Sequence, residues 1–269
     1  VTSGSANVLM GTGVGSNLTS GSRNIIIGSE LEGGSQDTAA GAKLTTGSDN
    51  FILGIQAAAN LTVGQRNIIM GNNSAGALNL TSDTIIIGHE SGSNISGGSA
   101  ADGENIIIGN YAGQLITSGR ALIIGHEAGQ NATGDDICII GNQSGRSVAG
   151  SRNTLFGNYV AGVSSSPNVS PMLGEDNVLI GTYSAYQLQT GSRNIVLGSG
   201  DGITGGTGYN LSAGNENSLI GFRAGRNLTT GDQNVIVGSN AGSTMSMSSR
   251  NFIMGNEAGR ALGNNDSVV

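Results

Sequence analysis

The chain has no tryptophan, and all its aromatic residues together make up only 3% of it. A catalytic domain of this length normally organises one large core around aromatic side chains, so such a core is not expected here. Proline occurs twice and charged residues reach only 11%, whereas disordered chains are rich in charge or proline and poor in aliphatics. The 11 lysines and arginines are scattered through a chain of net charge −7. No basic patch exists to neutralise phosphates, so nucleic acid is not an expected partner. No apolar run approaches the ~18 residues of a membrane-spanning helix, no basic amphipathic segment is present, and no signal peptide is visible. Membrane insertion is therefore not expected. The one cysteine, Cys138, excludes an intramolecular disulfide framework and falls in an apolar strand position.

What is abundant is glycine, 48 residues of it, and it is periodic. The string Asn-Ile-Ile-Ile-Gly at residues 24–28 returns at 105–109, with relatives at 7–11, 50–54, 67–71, 194–198 and 251–255. Looser copies begin at Thr84, Ala121, Ile137, Asn153, Asn177, Asn217 and Asn234, making fourteen copies, most of them 16 or 17 residues apart. This period is too short for helix-pair repeats or propeller blades. It fits an all-β parallel solenoid, a β-roll: one apolar strand, a glycine corner, a second short strand and another corner, repeated as a single continuous array over residues 1–269. Four longer spacings mark insertions near 29–43, 97–103, 158–175 and 199–209.

Aligned columns carry the finer expectations. The two residues before the strand-ending glycine are apolar in all fourteen copies. Neighbouring strand residues point to opposite faces, so both faces of the strand should be buried, one inside the coil and one against another copy of the chain. A homo-oligomer, most simply a trimer around an apolar axis, follows. A second column, Leu18, Leu44, Leu61, Leu80, Ile95, Ile116, Leu188, Leu211, Leu228 and Leu262, should anchor the second strand. Small residues (Ala75, Ala112, Ala128, Ala224, Ala241, Ala258) should fill a tight corner, and a hydroxyl column runs through Thr19, Thr45, Thr62, Thr81, Ser96, Thr117, Ser212 and Thr229. The Asn opening most strands should form a stacked amide ladder.

The residue just before that Asn nearly alternates in sign from coil to coil: Arg23, Asp49, Arg66, Asp83, Glu104, Arg120, Asp136, Arg152, Asp176, Arg193. Stacked directly above one another, these residues should attract in the correct register and repel when the stack slips by one coil. Each exposed pair contributes only ~0.5 kcal/mol, so register rather than stability is their expected use.

No catalytic constellation emerges, and the chain is not expected to be an enzyme. His89 and His126 share one repeat slot with a coil between them, roughly 10 Å apart at the ~4.8 Å coil rise, too far for shared metal ligation and in keeping with solvated corners. Glycine-rich strings lack a following helix to cradle a phosphate, and no cofactor is expected. Eleven Asn-x-Ser/Thr sequons occur, a by-product of a repeat that places Asn at a corner and Thr beyond it. Tyr111, Tyr159, Tyr183, Tyr186 and Tyr209 lie in corners or insertions. As exposed aromatics among Ser, Asn and Gly they are candidate contacts for a surface glycan or protein receptor.

The unit Gly-Ser-Arg-Asn-Ile-Ile-Ile-Gly-x-x-Ala-Gly-x-x-Leu-Thr-Thr resembles the head repeats of trimeric autotransporter adhesins and similar repeats in phage tail fibres. The resemblance covers essentially the whole chain. It implies a left-handed β-roll, three chains about one axis, and a place outside the cell or on a cell or virion surface. The chain departs from those adhesins in carrying Ile, Leu or Val where they have a small mid-strand Ala, and in its slightly longer coil. Both ends fall within a repeat, as expected of a piece of a longer array. The expected role is the shaft or head of an extracellular fibre, working by adhesion or receptor recognition through the inserted loops. The alternative is a self-assembling structural filament subunit.

Overall fold

A computed structural model describes residues 2–95, 103–117, 119–161 and 171–260. The chain is all-β, a parallel β-solenoid of about fourteen turns, without an α-helix among the described residues. It divides into two compact units, Val1–Thr133 and Gly134–Val269. The first carries β1 (Val8–Met10), β2 (Ile25–Ile27), β3 (Phe51–Leu53), β4 (Ile68–Met70), β5 (Ile85–Ile87), β6 (Ile106–Ile108) and β7 (Leu122–Ile124). The second carries β8 (Cys138–Ile140), β9 (Thr154–Phe156), β10 (Val178–Ile180), β11 (Ile195–Leu197), β12 (Ser218–Ile220), β13 (Val235–Val237) and β14 (Phe252–Met254). Within each unit every strand pairs in parallel with the next at the register of the repeat: Ile25 opposes Phe51, which opposes Ile68; Val178 opposes Ile195, which opposes Ser218.

Each strand is only three residues long, and its middle residue is the interior one. Ile26, Ile52, Ile69, Ile86, Ile107 and Ile123 in the first unit are fully buried, as are Ile139, Leu155, Leu179, Val196, Leu219, Ile236 and Ile253 in the second. The residues on either side point outward, as the alternation of a strand requires.

The rest of a coil is turn, and here the structure departs from expectation. No second strand forms among the described residues, where an isolated bridge joins Val148 to Met172. Instead two tight turns follow the strand, closed in one coil by bonds from Ala128 N–H to Gly125 and from Ala132 N–H to Gly129, 3.3 and 3.0 Å. The leucine column sits at the end of the second turn. Its N–H closes its own coil, as from Leu61 to Ala58 at 3.1 Å, and is not available for the neighbouring coil. Up to the residue after it, alternate amides cross between coils, such as Gly41 to Ala57, Lys43 to Ala59 and Thr45 to Thr62.

Three slots of one coil shift with respect to the sequence columns. Leu78, not Leu80, is the buried member of the leucine column, and Ala75 lies one slot later than Ala112, with φ 51° where the next coils have Gly92 and Gly113 at 56° and 52°. Ser74 takes the small-residue slot, and Asn79, whose carbonyl accepts from Thr62, takes the hydroxyl slot assigned to Thr81. The Leu-Thr pair at 80–81 imitates the Leu-Thr pair at 61–62, but burial follows the 17-residue spacing from Leu61 to Leu78. Ser96 and Leu262 lie outside the described residues.

The expected amide ladder is present and buried. Asn50 Nδ2 donates to Asn24 Oδ1 in the preceding coil (3.0 Å) and to the Gly64 carbonyl in the following one (2.8 Å). Its Oδ1 receives the Asn67 backbone N–H at 3.1 Å and the Asn67 Nδ2 at 3.0 Å. The same bonds recur from Asn153 through Asn177, Asn194, Asn217 and Asn234 to Asn251 in the second unit. Beside this ladder the coils touch backbone to backbone: a Cβ on Gly54, at φ 138°, would stand 2.6 Å from the Gly71 carbonyl oxygen. No other residue fits that column.

The insertions are narrower than their spacing implied. The first leaves after Gly28, turns through a 3-10 segment at Gln36–Thr38 capped by Ser35, and rejoins by Gly41, whose amide bonds Ala57. The last has rejoined by Gly208, whose amide bonds Ala224. Of the second and third, residues 97–102 and 162–170 lie outside the described residues, and Tyr159 and Ala161 still occupy ordinary slots.

Replacing Asn67 with Ala leaves the Thr84 amide and the Thr81 carbonyl without the partners that they have in the native coil. Such a change in mid-ladder is expected to cost about 3 kcal/mol. In urea unfolding its midpoint should fall well below that of the half-exposed Asn7→Ala. Equal midpoints would mean that the ladder does not hold the stack.

Candidate functional site

All five tyrosines sit in corner slots of the repeat, and none in an insertion. Tyr111, Tyr159 and Tyr183 occupy the second residue after the strand-ending glycine, each left-handed at φ 57–58°. Tyr186 and Tyr209 occupy the residue after the second turn's left-handed position. Tyr209, expected in the last insertion, belongs to the repeat.

In the second unit four of them converge. Tyr159 and Tyr183 stack at 4.9 Å between centroids and 5° between planes, Tyr186 and Tyr209 at 5.2 Å and 7°, and Tyr183 meets Tyr186 at 5.7 Å and 54°. Each stacked pair spans one coil rise, so the rings spend facing surface on each other and the cluster is half-buried rather than an open platform. Desolvation pushes the Tyr186 phenol above its ordinary value.

The last insertion is built onto this stack. Gly202 lies so close to Tyr183 that a Cβ there would meet the ring at 2.5 Å. Its neighbour Asp201 accepts from the Ile203 and Thr204 amides (3.1 and 2.7 Å) and the Thr204 hydroxyl, and pairs with Arg223 at 2.6 Å. Arg226 donates to the Thr204 carbonyl at 3.1 Å. These bonds, from the Thr204 amide first, draw the Asp201 pKa down to about 2. The loop is thus a pinned element that carries Ile203, 91% exposed, at its tip.

In the first unit Tyr111 stands alone among tyrosines, between His89 and His126, which meet its ring edge-on at 5.4 and 6.1 Å. The two histidines are partners of an intervening aromatic ring, a contact the sequence reading of solvated corners missed because Tyr111 lies one slot away. Among the described residues no group of three or more His, Cys, Asp or Glu could hold a metal, and no helix is long and apolar enough to cross a membrane.

The alternating charges do pair up the stack. Arg23 grips Asp49 with two bonds of 2.6 and 2.7 Å, Arg66 grips Asp83 with two of 2.6 Å, Arg152 reaches Asp176 and Glu175, and Arg193 reaches Glu216. The guanidinium bonds hold Asp49, Asp83 and Asp176 below the ordinary carboxylate value. What sequence did not foretell is the backbone: every ladder residue from Arg23 to Arg250 has φ between 55° and 65°, a region that glycine and asparagine normally supply. The left-handed turn aims each side chain along the stack, at its counterpart one coil away.

Arg66→Asp should lower the melting temperature by setting like charges together, and adding Asp83→Arg should recover it; no recovery would show that the pairing is incidental. Asp201 has a folded pKa below its unfolded value near 4, so its contribution is complete above that pH and is lost as pH falls toward 2. Near-ultraviolet circular dichroism of the tyrosines should change over that window, and Gly202→Ala should produce the change at neutral pH. An unchanged signal in both would mean the loop is not held on the stack. No family model, no curated protein and no solved structure matches the chain, so what it does must be argued from these surfaces alone.

Proposed function

We propose that the chain is the shaft or head of an extracellular fibre, non-catalytic, that assembles through its strand face and recognises a surface glycan or protein receptor through its corner columns and inserted loops. One observation carries the reading. Both outward strand positions are open to solvent, the one before the glycine apolar in all fourteen copies and the one after Asn in most: Ile25, Ile68 and Ile106 are each 38–39% exposed in the first unit, and Phe156, Ile195 and Phe252 43–52% in the second. A soluble protein with that face open would expose a continuous apolar band. Covering it with equivalent strands from two more copies contributes on the order of 1 kcal/mol per side chain. The strict apolar rule of the repeat covers the interior mid-strand position and the outward position before the glycine, and a monomer would need only the first.

Recognition falls to the opposite features. The pinned loop at 199–206 and the first insertion present polar and apolar side chains on backbones that cannot relax, which lowers the ordering cost of binding. The structural-filament alternative draws on the same apolar face and differs in whether assembly closes.

Light scattering of the dilute chain is expected to give a mass near three times 26.8 kDa. The triple variant Ile25→Ser, Ile68→Ser, Ile106→Ser should shift it toward monomer without loss of the β signal. A discrete wild-type monomer would overturn the assembly, and open-ended species that grow with concentration would favour the filament.

A further inference from the structure

The first unit carries a groove that neither the repeat nor the tyrosines explain. The first insertion leaves its corner, folds back through residues 36–38 and stands as a wall beside the corners of the next coils. Between wall and corners lie two connected hollows. One, about 320 Å³, is bounded by Asp37 and Thr38 of the wall. The other, about 240 Å³, is bounded by Leu31, Ile55 and His89. Gln56, Asn73 and Glu90 line both and so form the common floor.

That floor is ordered with care for the side chains it presents. Gln56, Asn73 and Glu90 occupy one slot of three successive coils, all left-handed, at φ 56°, 55° and 51°. Their amides are tied to the preceding coil through Ser29, Ile55 and Asn72 at 3.1, 2.8 and 3.0 Å. The side chains therefore leave a fixed backbone at intervals of one coil, ~4.8 Å. Glu90 is braced by Gln114 at 3.2 Å. The side-chain amides of Gln56 and Asn73 make no hydrogen bond to any described residue.

We infer that this groove binds a neutral oligosaccharide lying along the stack. A planar amide offers a donor and an acceptor side by side, and a carboxylate offers two acceptors. These are the groups that grip adjacent hydroxyls of a sugar ring. Their spacing is comparable to the advance of a glycan chain per sugar. Leu31, Ile55 and the His89 ring supply apolar surface for the C–H faces between those hydroxyls. Asp37 and Glu90 set the sign of the groove, so uronic or sulfated sugars are repelled. The inference rests on the recognition role proposed above and names its ligand class.

The test uses the full chain and saturation-transfer NMR with gluco-, galacto-, manno-, xylo- and N-acetylglucosamine hexasaccharides, with hexagalacturonate as the acidic arm. At least one neutral hexasaccharide should bind at or below millimolar concentration, and hexagalacturonate should not. Gln56→Ala with Asn73→Ala should weaken that binding at least about tenfold, while Gln143→Ala, in the same slot of the second unit, leaves it intact. Alanine already adopts this left-handed geometry at Ala58 and Ala75, and the melting temperature checks that the double variant folds. Binding by no neutral sugar, preference for the acidic one, or undiminished binding by the double variant would each overturn the inference. Beads coated with the chain separate the two readings. If wild type and double variant adhere alike, the groove fails and adhesion stands. If the free sugar binds but coated beads ignore a surface displaying it, the groove stands and adhesion fails.

Discussion

Through most of the stack the buried asparagine amide holds one coil to the next; only at Thr84, Ala121 and Ile137 does another residue fill its slot. A side-chain amide out of water must satisfy two donors and an acceptor or cost several kcal/mol, and the ladder satisfies them only at one coil spacing and one register. Asn24, Asn50 and Asn67 each reach one coil back and one coil forward. Where Thr84 replaces Asn, its backbone amide still donates to Asn67 Oδ1, at 3.1 Å. Parallel strand pairing sets the same spacing, and coils that close leave the glycine columns no room for a Cβ, also where Thr84 or Ala121 interrupts the ladder. Glycine is abundant here because the stacked coils bring backbone against backbone.

With the coil spacing set, side chains on the surface become columns. The ion-pair ladder, the stacked tyrosine pairs and the groove floor are three uses of the same repetition, in which a slot's chemistry is read against its own copy one coil away. Left-handed corners make this possible by turning non-glycine residues outward from a backbone that cannot adjust. The strain is spread over many corners, and hydrogen bonding between coils offsets it. Columns can then carry unrelated functions: ion pairs that set register in one, and in another the Gln56 and Asn73 amides in the first unit and the Tyr159–Tyr183 stack that seats a loop in the second.

The outer strand face belongs to a different logic. Its side chains stand beside their counterparts in the neighbouring coils, as Ile25 beside Phe51 and Phe51 beside Ile68, yet stay partly open to solvent, and before the glycine they are apolar in every copy. Interior burial explains the middle residue of each strand and nothing more. The open apolar position before the glycine is what the proposed assembly rests on, and such an assembly would leave the corners, with their loops, as the surface open to partners.

Much of this was legible in the residues. The period, the parallel stack, the amide ladder and the pairing of Arg23 with Asp49 or Arg66 with Asp83 all follow from counting, because residues one period apart are neighbours in any solenoid. The misassigned Leu80 and Ala75 show the limit of reading by likeness: a displaced Leu-Thr pair mimics the motif, and only the interior volume selects Leu78. The second strand could not be excluded in advance either, since a leucine anchors a turn as well as a strand. Tertiary structure alone decided where the insertions rejoin, that Tyr183 underlies Gly202, that Tyr111 separates two histidines, and that Gln56, Asn73 and Glu90 floor a groove. Each of these depends on the direction in which a corner residue leaves the backbone, and that direction comes from a left-handed φ imposed by the stacked coils, which no residue type at those positions announces.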